Sequence, residues 1–393
     1  MSVTGACTAA LLAAGALLLP SAASAAVAAP NRADAQAAAA KPADEFLSVS
    51  CPTGRMCVAV GESSFATTGA MLAERWNGHK WSVTRLAHPR GATNSFLTGV
   101  SCTSARACTA VGVDFVPGTG GGPLAERWNG SRWSLEVTPD PGGGGVPLAA
   151  VSCGSATSCT AVGYYDFGSL GLTSSTLAEH WNGRRWAVES LPSAGDLGGD
   201  LSAVSCPSGV TCTAAGYRNG TSDEGQGTAP LAMRRSLGNW VAEPAPGDAD
   251  ENLTSGLTGV SCPTAGTCTA VGENAGGGPL AMRWNGLKWQ TQTAADQLGL
   301  LGFNGVSCAS ATACTAIGGS YGQRWNGRTW ALHRIAVPAR AHSFNLSAVS
   351  CSSARHCTAV GSKYMTVSQV SDVLTVAERW NGHTWTPQAT PSP

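Results

Sequence analysis

Leu257 to Trp289 reads LTGVSCPTAGTCTAVGENAGGGPLAMRWNGLKW, and its opening alternates. Leu257, Gly259 and Ser261 fall on one side; Thr258, Val260 and Cys262 fall on the other. In the first occurrence of the pattern, Leu47, Val49 and Cys51 share one face, and Ser48 and Ser50 the opposite one. Alternation over four to six residues with β-branched members predicts a strand. Cys268 to Gly272 predicts a second short strand and Leu280 to Trp284 a third, and Trp289 opens a fourth. The unit occurs seven times. Four short strands per unit of about 50 residues predict the blades of a β-propeller.

The spacings inside the unit predict its hairpins. Five residues separate Cys262 from Cys268. An odd loop sets the two cysteines opposite each other on one face of a hairpin. Cβ atoms there lie about 4.5–5.5 Å apart, near the separation a disulfide needs. The close of the unit is Trp284-Asn285-Gly286-x-x-Trp289, and Asn-Gly is a strong hairpin signal. A two-residue or a four-residue turn there sets both indoles on one face, as a slab against the next blade. The close recurs at Trp76/Trp81, Trp128/Trp133, Trp181/Trp186, Trp325/Trp330 and Trp380/Trp385. The fourth unit has Arg235-Ser236-Leu237 in place of Trp-Asn-Gly and keeps Trp240. That predicts a looser turn and one missing indole.

The expected fold class is therefore all-β: a seven-bladed propeller, four antiparallel strands per blade, with one hairpin disulfide in each. The blades read as about 46–96, 97–146, 147–200, 201–256, 257–302, 303–345 and 346–393. An open stack of such units would need polar caps, and none is visible, so a closed ring is expected, sealed blade against blade.

The cysteines change the picture of compartment. Cys7 stands alone, and fourteen others form seven equal spacings: Cys51/Cys57, Cys102/Cys108, Cys153/Cys159, Cys206/Cys212, Cys262/Cys268, Cys308/Cys314 and Cys351/Cys357. A local bond gives every blade the same answer. Zinc sites want closer cysteine pairs and histidine partners, and the seven histidines follow no repeat. Disulfides imply an oxidising compartment. Residues 1–31 carry no charge, Leu11 to Leu19 is apolar, and Ala23-Ser24-Ala25 is a small-residue cleavage signal. Residues 1–25 are read as a secretory signal peptide and the Ala-rich 26–45 as a linker. The protein is expected to be secreted or associated with the cell surface, as a monomer. No later run of 18 apolar residues exists, so no membrane span is expected. Zero net charge gives no footing for nucleic acid.

The order of strands resembles the kelch repeat: a first strand, a second ending in Ala-Val-Gly, a third ending in an aromatic residue, and a fourth opening on Trp. That family includes the central domain of galactose oxidase and forms six- or seven-bladed propellers. The resemblance covers residues 46–393. The kelch double glycine is mostly single here, with Gly318-Gly319 the exception. The paired cysteines are not a kelch feature and look like those of secreted repeat proteins from GC-rich bacteria.

No nucleophile elbow, phosphate loop, zincin helix or dinucleotide fingerprint is present, so no cofactor or metal is expected. Copper-oxidase chemistry of the galactose-oxidase type needs a free cysteine, and every mature cysteine has a partner in its repeat. Two carboxylates suffice for a glycosidase, so a secreted carbohydrate-active hydrolase or lyase stays as the alternative. The Glu-Arg before the third-strand Trp, as at Glu74-Arg75, reads as architectural, because Met233, Met282 and Gln323 replace the Glu elsewhere. With strands named a to d, variation in length collects in the b–c loops, from 2 residues in blade six to 14 in blades four and seven. Variable loops on a fixed scaffold are where binding is usually built. The candidate binding residues are Asp114, Tyr164, Tyr165, Asp166, Tyr217, Arg218, Glu273 and Tyr364, with Phe167 and Asn219 beside them. The expected function is an extracellular binding or scaffolding module for a glycan, peptide or protein. Its principal site is expected over blades three and four.

Overall fold

Strand a departs from a simple alternation, and the departure builds the channel. Phe46 and Val49 are both buried in the first blade, and Leu257 and Val260 in the fifth. Residues three apart share a face of a strand only where one extra residue intervenes. The ladders carry that bulge between Phe46 and Ser48, Leu97 and Gly99, Leu201 and Ala203, Leu257 and Gly259, and Leu346 and Ala348. Leu47, which alternation assigns to the face of Val49 and Cys51, is the bulged residue and lines the central channel instead. At the same position Thr98 turns its hydroxyl to the carbonyl of Leu148 in the next blade. Thr258 does the same to Phe303 at 2.6 Å, and the Asn304 amide reaches the Leu346 carbonyl at 2.7 Å. The channel, about 210 Å³, is lined by strand a of all seven blades, and no charged side chain is among its described lining.

The computed structural model describes residues 43–391 except 66–67, 119, 142–146, 167–173, 196, 221–226, 247–253, 296–299, 337, 339–340 and 368–369. The expected signal peptide, 1–25, and most of the expected linker, 26–45, therefore lie outside the described residues. Seven sheets each take four consecutive strands, all antiparallel, in the order a-b-c-d. They span Ala43–Val83, Asn94–Glu136, Leu148–Val188, Gly199–Glu243, Gly256–Gln292, Gly305–Arg334 and Ser343–Gln388. Ala43 to Glu45, which composition assigns to the linker, pair with Ser64, Ser63 and Glu62 as the start of strand a.

Among the described residues no sheet borrows a strand, so the ring closes blade against blade. The Cys51 N–H donates to Ser350 Oγ at 2.9 Å, and Arg379 donates to the Gly54 carbonyl at 2.8 Å. Phe46, Val49 and Trp76 of blade one share a core cluster with Val360 and Ala377 of blade seven. The first of these bonds is one member of a complete ring. In each Val-Ser-Cys run the serine Oγ accepts the N–H of the cysteine in the following blade, at 2.9–3.0 Å, from Ser50 to Ser350. That bond explains why the serine recurs seven times: strand a is innermost, and its N–H facing away from strand b would otherwise be buried without a partner.

All seven hairpin disulfides form: Cys51–Cys57, Cys102–Cys108, Cys153–Cys159, Cys206–Cys212, Cys262–Cys268, Cys308–Cys314 and Cys351–Cys357. One detail corrects the reading of the spacing. The five intervening residues are not an open loop. In blade two Ser104 pairs with Ala107, so the ladder runs past the bond to a tight turn, with a register shift between Cys102 and Ser104.

The second cysteine of each pair is fully buried. Cys57, Cys108, Cys159, Cys212, Cys268, Cys314 and Cys357 are 0–2% exposed, so they belong to the core and offer nothing to a ligand. The cause is the packing of each sulfur against the preceding blade. In six seams a strand-b threonine hydroxyl stands 3.5–3.6 Å from it: Thr358 at Cys57, Thr109 at Cys159, Thr160 at Cys212, Thr213 at Cys268, Thr269 at Cys314 and Thr315 at Cys357. In the seventh seam Val58 replaces the threonine, and Cys108 lies in one apolar cluster with it.

At the c–d turn the two tryptophans pair directly, and the six indole pairs stand 5.7–5.9 Å apart. The turn has four residues. Asn77 Oδ1 accepts the N–H groups of His79 and Lys80, both at 2.9 Å, and Gly78 takes a φ of 98°. Blade four corrects the expectation of a looser turn. Ser236 pairs with Asn239, and Leu237 and Gly238 both take positive φ, 50° and 88°. This two-residue turn matches the twist of its strands and is tighter than the others.

Length variation on the b–c side also differs from expectation. In blade seven most of the expected 14-residue loop extends the hairpin itself, with strands His356–Val367 and Val370–Trp380. The Thr- and Val-rich run Tyr364–Val376 suits a ladder rather than a loop.

Candidate functional site

Five of the seven seams between blades are built alike. The strand-c arginine of one blade lies over the strand-c tryptophan of the next, with guanidinium carbon to ring distances of 4.3–5.2 Å. The same arginine donates to a carbonyl in the next blade's a–b turn, at 2.6–2.8 Å. A cation over an indole and a charge-assisted bond lock neighbouring blades together.

The seam between blades three and four follows a different rule. His180 stands where the arginine would be, and Arg235 where the tryptophan would be. Two guanidinium groups stacked there would repel. Arg235 is 6% exposed and pairs with Glu189, at 2.9 Å from Nε and 2.5 Å from Nη2. The other oxygen of Glu189 accepts the indole N–H of Trp240 at 2.8 Å. Beside this seam, toward the b–c end of blade three, lies a cavity of about 550 Å³. Tyr165, Ser175, Leu177, Glu189, Leu191 and Pro192 are among its lining.

Tyr165 and Tyr217, which sequence position groups together, face opposite ways. Tyr164 and Tyr217 both follow the second cysteine of their blade by five residues, and Tyr165 and Arg218 by six. Adjacent residues on a strand point to opposite faces. Tyr165 packs on the blade-three core and opens to the cavity. Tyr217 donates its hydroxyl to Asp200 Oδ2 at 2.5 Å and lies against blade five, where a Cβ at Gly256 would sit 3.3 Å from its own Cβ. Tyr164 and Arg218 are half-buried on strand b of blades three and four. Asn219 ties the scaffold: its amide donates to the Leu197 carbonyl at 3.1 Å and to Ser174 Oγ at 3.4 Å.

The other candidates are spread around the ring. Asp114 is half-buried and pairs with Gly122; burial pushes its carboxyl up. Glu273 is exposed beside Gly302. Tyr364 is 42% exposed, on the protruding hairpin of blade seven. Asp166 ends strand b of blade three; its side chain, with Phe167, lies outside the described residues.

Two acidic features stand out, and sequence reasoning passed over the first of them. Glu45 and Glu62 stand directly opposite each other across strands a and b of blade one. Burial and the Glu45 charge push the Glu62 carboxyl up. A second set occupies one position of strand c, where Glu74, Glu126 and Glu179 are fully buried and Glu378 nearly so. Burial, with Asp44 and Asp140 respectively, pushes Glu74 and Glu179 up to about 8. Burial pushes Glu126 up to about 7, although the Ala87 N–H donates to it at 3.1 Å, and Glu378 also to about 7. In blade six Gln323 fills the slot, accepting the Ala295 N–H at 2.8 Å and donating to the Ala295 carbonyl at 2.7 Å. A protonated glutamate mimics that amide. The position is architectural, as its replacement by Met and Gln in other blades implies, and it is fully buried.

No protein-family model and no curated protein matches this chain. Among solved structures, the chain is similar to YCF48 bound to D1 peptide, at 14% identity over 87% of this chain and 93% of that one, with a TM-score of 0.51. YCF48 from Cyanidioschyzon merolae gives 13% identity, 87% and 96% coverage, and 0.51. An Aleuria aurantia lectin in complex with a fucosyl-GlcNAc disaccharide gives 11%, 90% and 96%, and 0.43. At these identities the YCF48 likeness is one of fold.

Proposed function

We propose that this protein is a secreted binding module that takes an extracellular peptide or glycan segment on the b–c side of blade three. The observation that supports it is the coincidence of three features. The b–c side varies in length, a regular seam is rewritten there around Glu189 and Arg235, and the cavity of about 550 Å³ opens beside that seam. The volume lies within the range of ligand pockets. Its lining mixes a phenol, serine hydroxyls and apolar carbons from Leu177, Leu191 and Pro192. The Glu189 carboxylate is already neutralised by Arg235, so the cavity favours an uncharged segment. That YCF48, a propeller of this fold, has been solved with a D1 peptide makes peptides the first class to try. Seven disulfides and a leader-like N-terminus support an extracellular setting. The kelch type of the ring rests on the sequence resemblance.

Peptide-display selection and a glycan array with the mature protein should yield a ligand that loses about tenfold or more in affinity on Tyr165→Ala, as expected for an aromatic anchor. The melting temperature should fall only slightly. A ligand indifferent to Tyr165→Ala and to Leu191→Ala would place the site elsewhere.

The Glu45/Glu62 pair favours a second reading, a hydrolase built on two carboxyl groups, with that of Glu62 raised. Directly opposed Cβ atoms lie about 4.5–5.5 Å apart, and retaining glycosidases hold their carboxyl groups about 5–5.5 Å apart. Under that reading a polysaccharide screen finds turnover that Glu62→Gln abolishes. Turnover unchanged in that variant, or none on any substrate, counts against it.

A further inference from the structure

We propose that the seam between blades one and two is a second ligand site, on the side opposite the b–c loops, and that it takes an acidic saccharide unit. Here too the regular seam is broken. Among the described residues Arg75 makes no stack on Trp128, whereas five other arginines cover the equivalent indole. The Trp128 N–H instead donates to the Ala105 carbonyl at 3.2 Å, the same turn carbonyl that an arginine takes in the regular seams. Of the strand-c tryptophans, all of them described, Trp128 alone is only half-buried.

A cavity of about 460 Å³ opens over it, walled by Leu86, Trp133, Arg85 and Arg132. The Ala105 bond and the Trp133 ring at 5.7 Å hold the Trp128 plane fixed. Both arginines are exposed, and among the described residues no acidic side chain lines the cavity to pair with them. The hydroxyls there are already donating: Thr84 to the Ala73 carbonyl at 3.3 Å and Ser131 to Asn129 Oδ1 at 2.8 Å.

The free donors this site offers are thus guanidinium groups beside a flat aromatic face. An extended peptide backbone has no flat C–H face to lay on the fixed indole. A sugar ring stacks its C–H face on an indole and brings ether and hydroxyl oxygens, and a carboxylate or sulfate on it meets a guanidinium bidentately. The volume suits one or two rings.

The test is titration calorimetry of the mature protein with trigalacturonic acid and a heparin-derived tetrasaccharide. The methyl ester of trigalacturonate and a glutamate-rich peptide serve as controls. At least one acidic saccharide should bind at millimolar concentration or below. The methyl ester should bind roughly tenfold more weakly, and the Arg85→Gln/Arg132→Gln double variant should lose at least as much. Both arginines are exposed, so that variant should keep its melting temperature. Trp128→Phe should weaken binding while Tyr165→Ala leaves it unchanged, which separates this site from the one on blade three. Three results would overturn the proposal: no acidic saccharide bound, equal binding of the ester, or affinity indifferent to the arginines. Capture of the glutamate-rich peptide by the same arginines, with no saccharide bound, would overturn it in favour of a peptide site.

Discussion

Thermal unfolding should give a higher melting temperature at pH 5 than at pH 8. Glu74 and Glu179 hold their protons up to about 8 in the folded chain, and Glu126 and Glu378 up to about 7. Unfolded, each returns to the ordinary glutamate value near 4.3. The folded pKa is raised, so the stability these groups contribute is fully present below the unfolded value. It falls as pH climbs above that value and is lost as pH rises through 7 to 8. Across that window each retained proton costs about 1.4 kcal/mol of stability per pH unit.

The chain supplies its own substitutions for the test. Six residues after the strand-d tryptophan, the linkers entering blades two, six and seven carry Ala87, Ala295 and Ala336. The linkers entering blades three, four and five carry Pro139, Pro192 and Pro246. Where the linker offers Ala, strand c has Glu126, Gln323 and Glu378, and the first two accept the alanine N–H. Where it offers Pro, which has no N–H, blades four and five have Met233 and Met282. Glu126→Gln and Glu179→Met should therefore each raise the melting temperature at pH 8 by a few degrees and change it little at pH 5. A melting temperature that is flat or rises from pH 5 to pH 8 would mean these carboxyl groups ionise in place.

What could be read in advance was whatever repeats within one unit. The cysteine spacing, the paired tryptophans and the seven blades are local patterns, and local pairing rules carry them into the structure. The burial of Cys57, Cys108, Cys314 and Cys357 was not local, because the residues that cover each sulfur stand in the preceding blade. The bulge at Leu47 was hidden because an inserted residue leaves the Val-Ser-Cys end of the strand in register and shifts only what precedes it. Length alone makes the blade-seven segment a loop, although its β-branched residues mark a hairpin. The seams escaped for another reason. His180, Glu189 and Arg235 act together across 55 residues of chain. Their signal was two departures at once, His for Arg in unit three and Arg for Trp in unit four. Each reads as decay alone, and together they read as one exchange. A site expected over blades three and four treats their neighbouring loops as one surface. Positions five and six after the cysteine point to opposite faces, so Tyr165, six after Cys159, and Tyr217, five after Cys212, diverge.

Glu189→Ala should be among the most damaging single substitutions outside the disulfides. It strips the partner carboxylate from a guanidinium that is 6% exposed and also orphans the Trp240 N–H. Breaking a buried pair by removing one partner costs about 3–5 kcal/mol, because the remaining charge stays buried. In a ring of this size that corresponds to roughly 5–10 °C of melting temperature. Restoring the regular seam should recover much of the loss. In the Glu189→Ala background, Arg235→Trp sets an indole directly opposite Trp240, its present strand partner. Adding His180→Arg supplies the cation that covers that indole in five other seams. Differential scanning calorimetry of the wild type, the single variant and the triple variant decides the matter. A single variant within a degree of wild type would show that Arg235 reaches water once Glu189 is gone. A triple variant no better than the single would show that the seam is set by something other than this exchange.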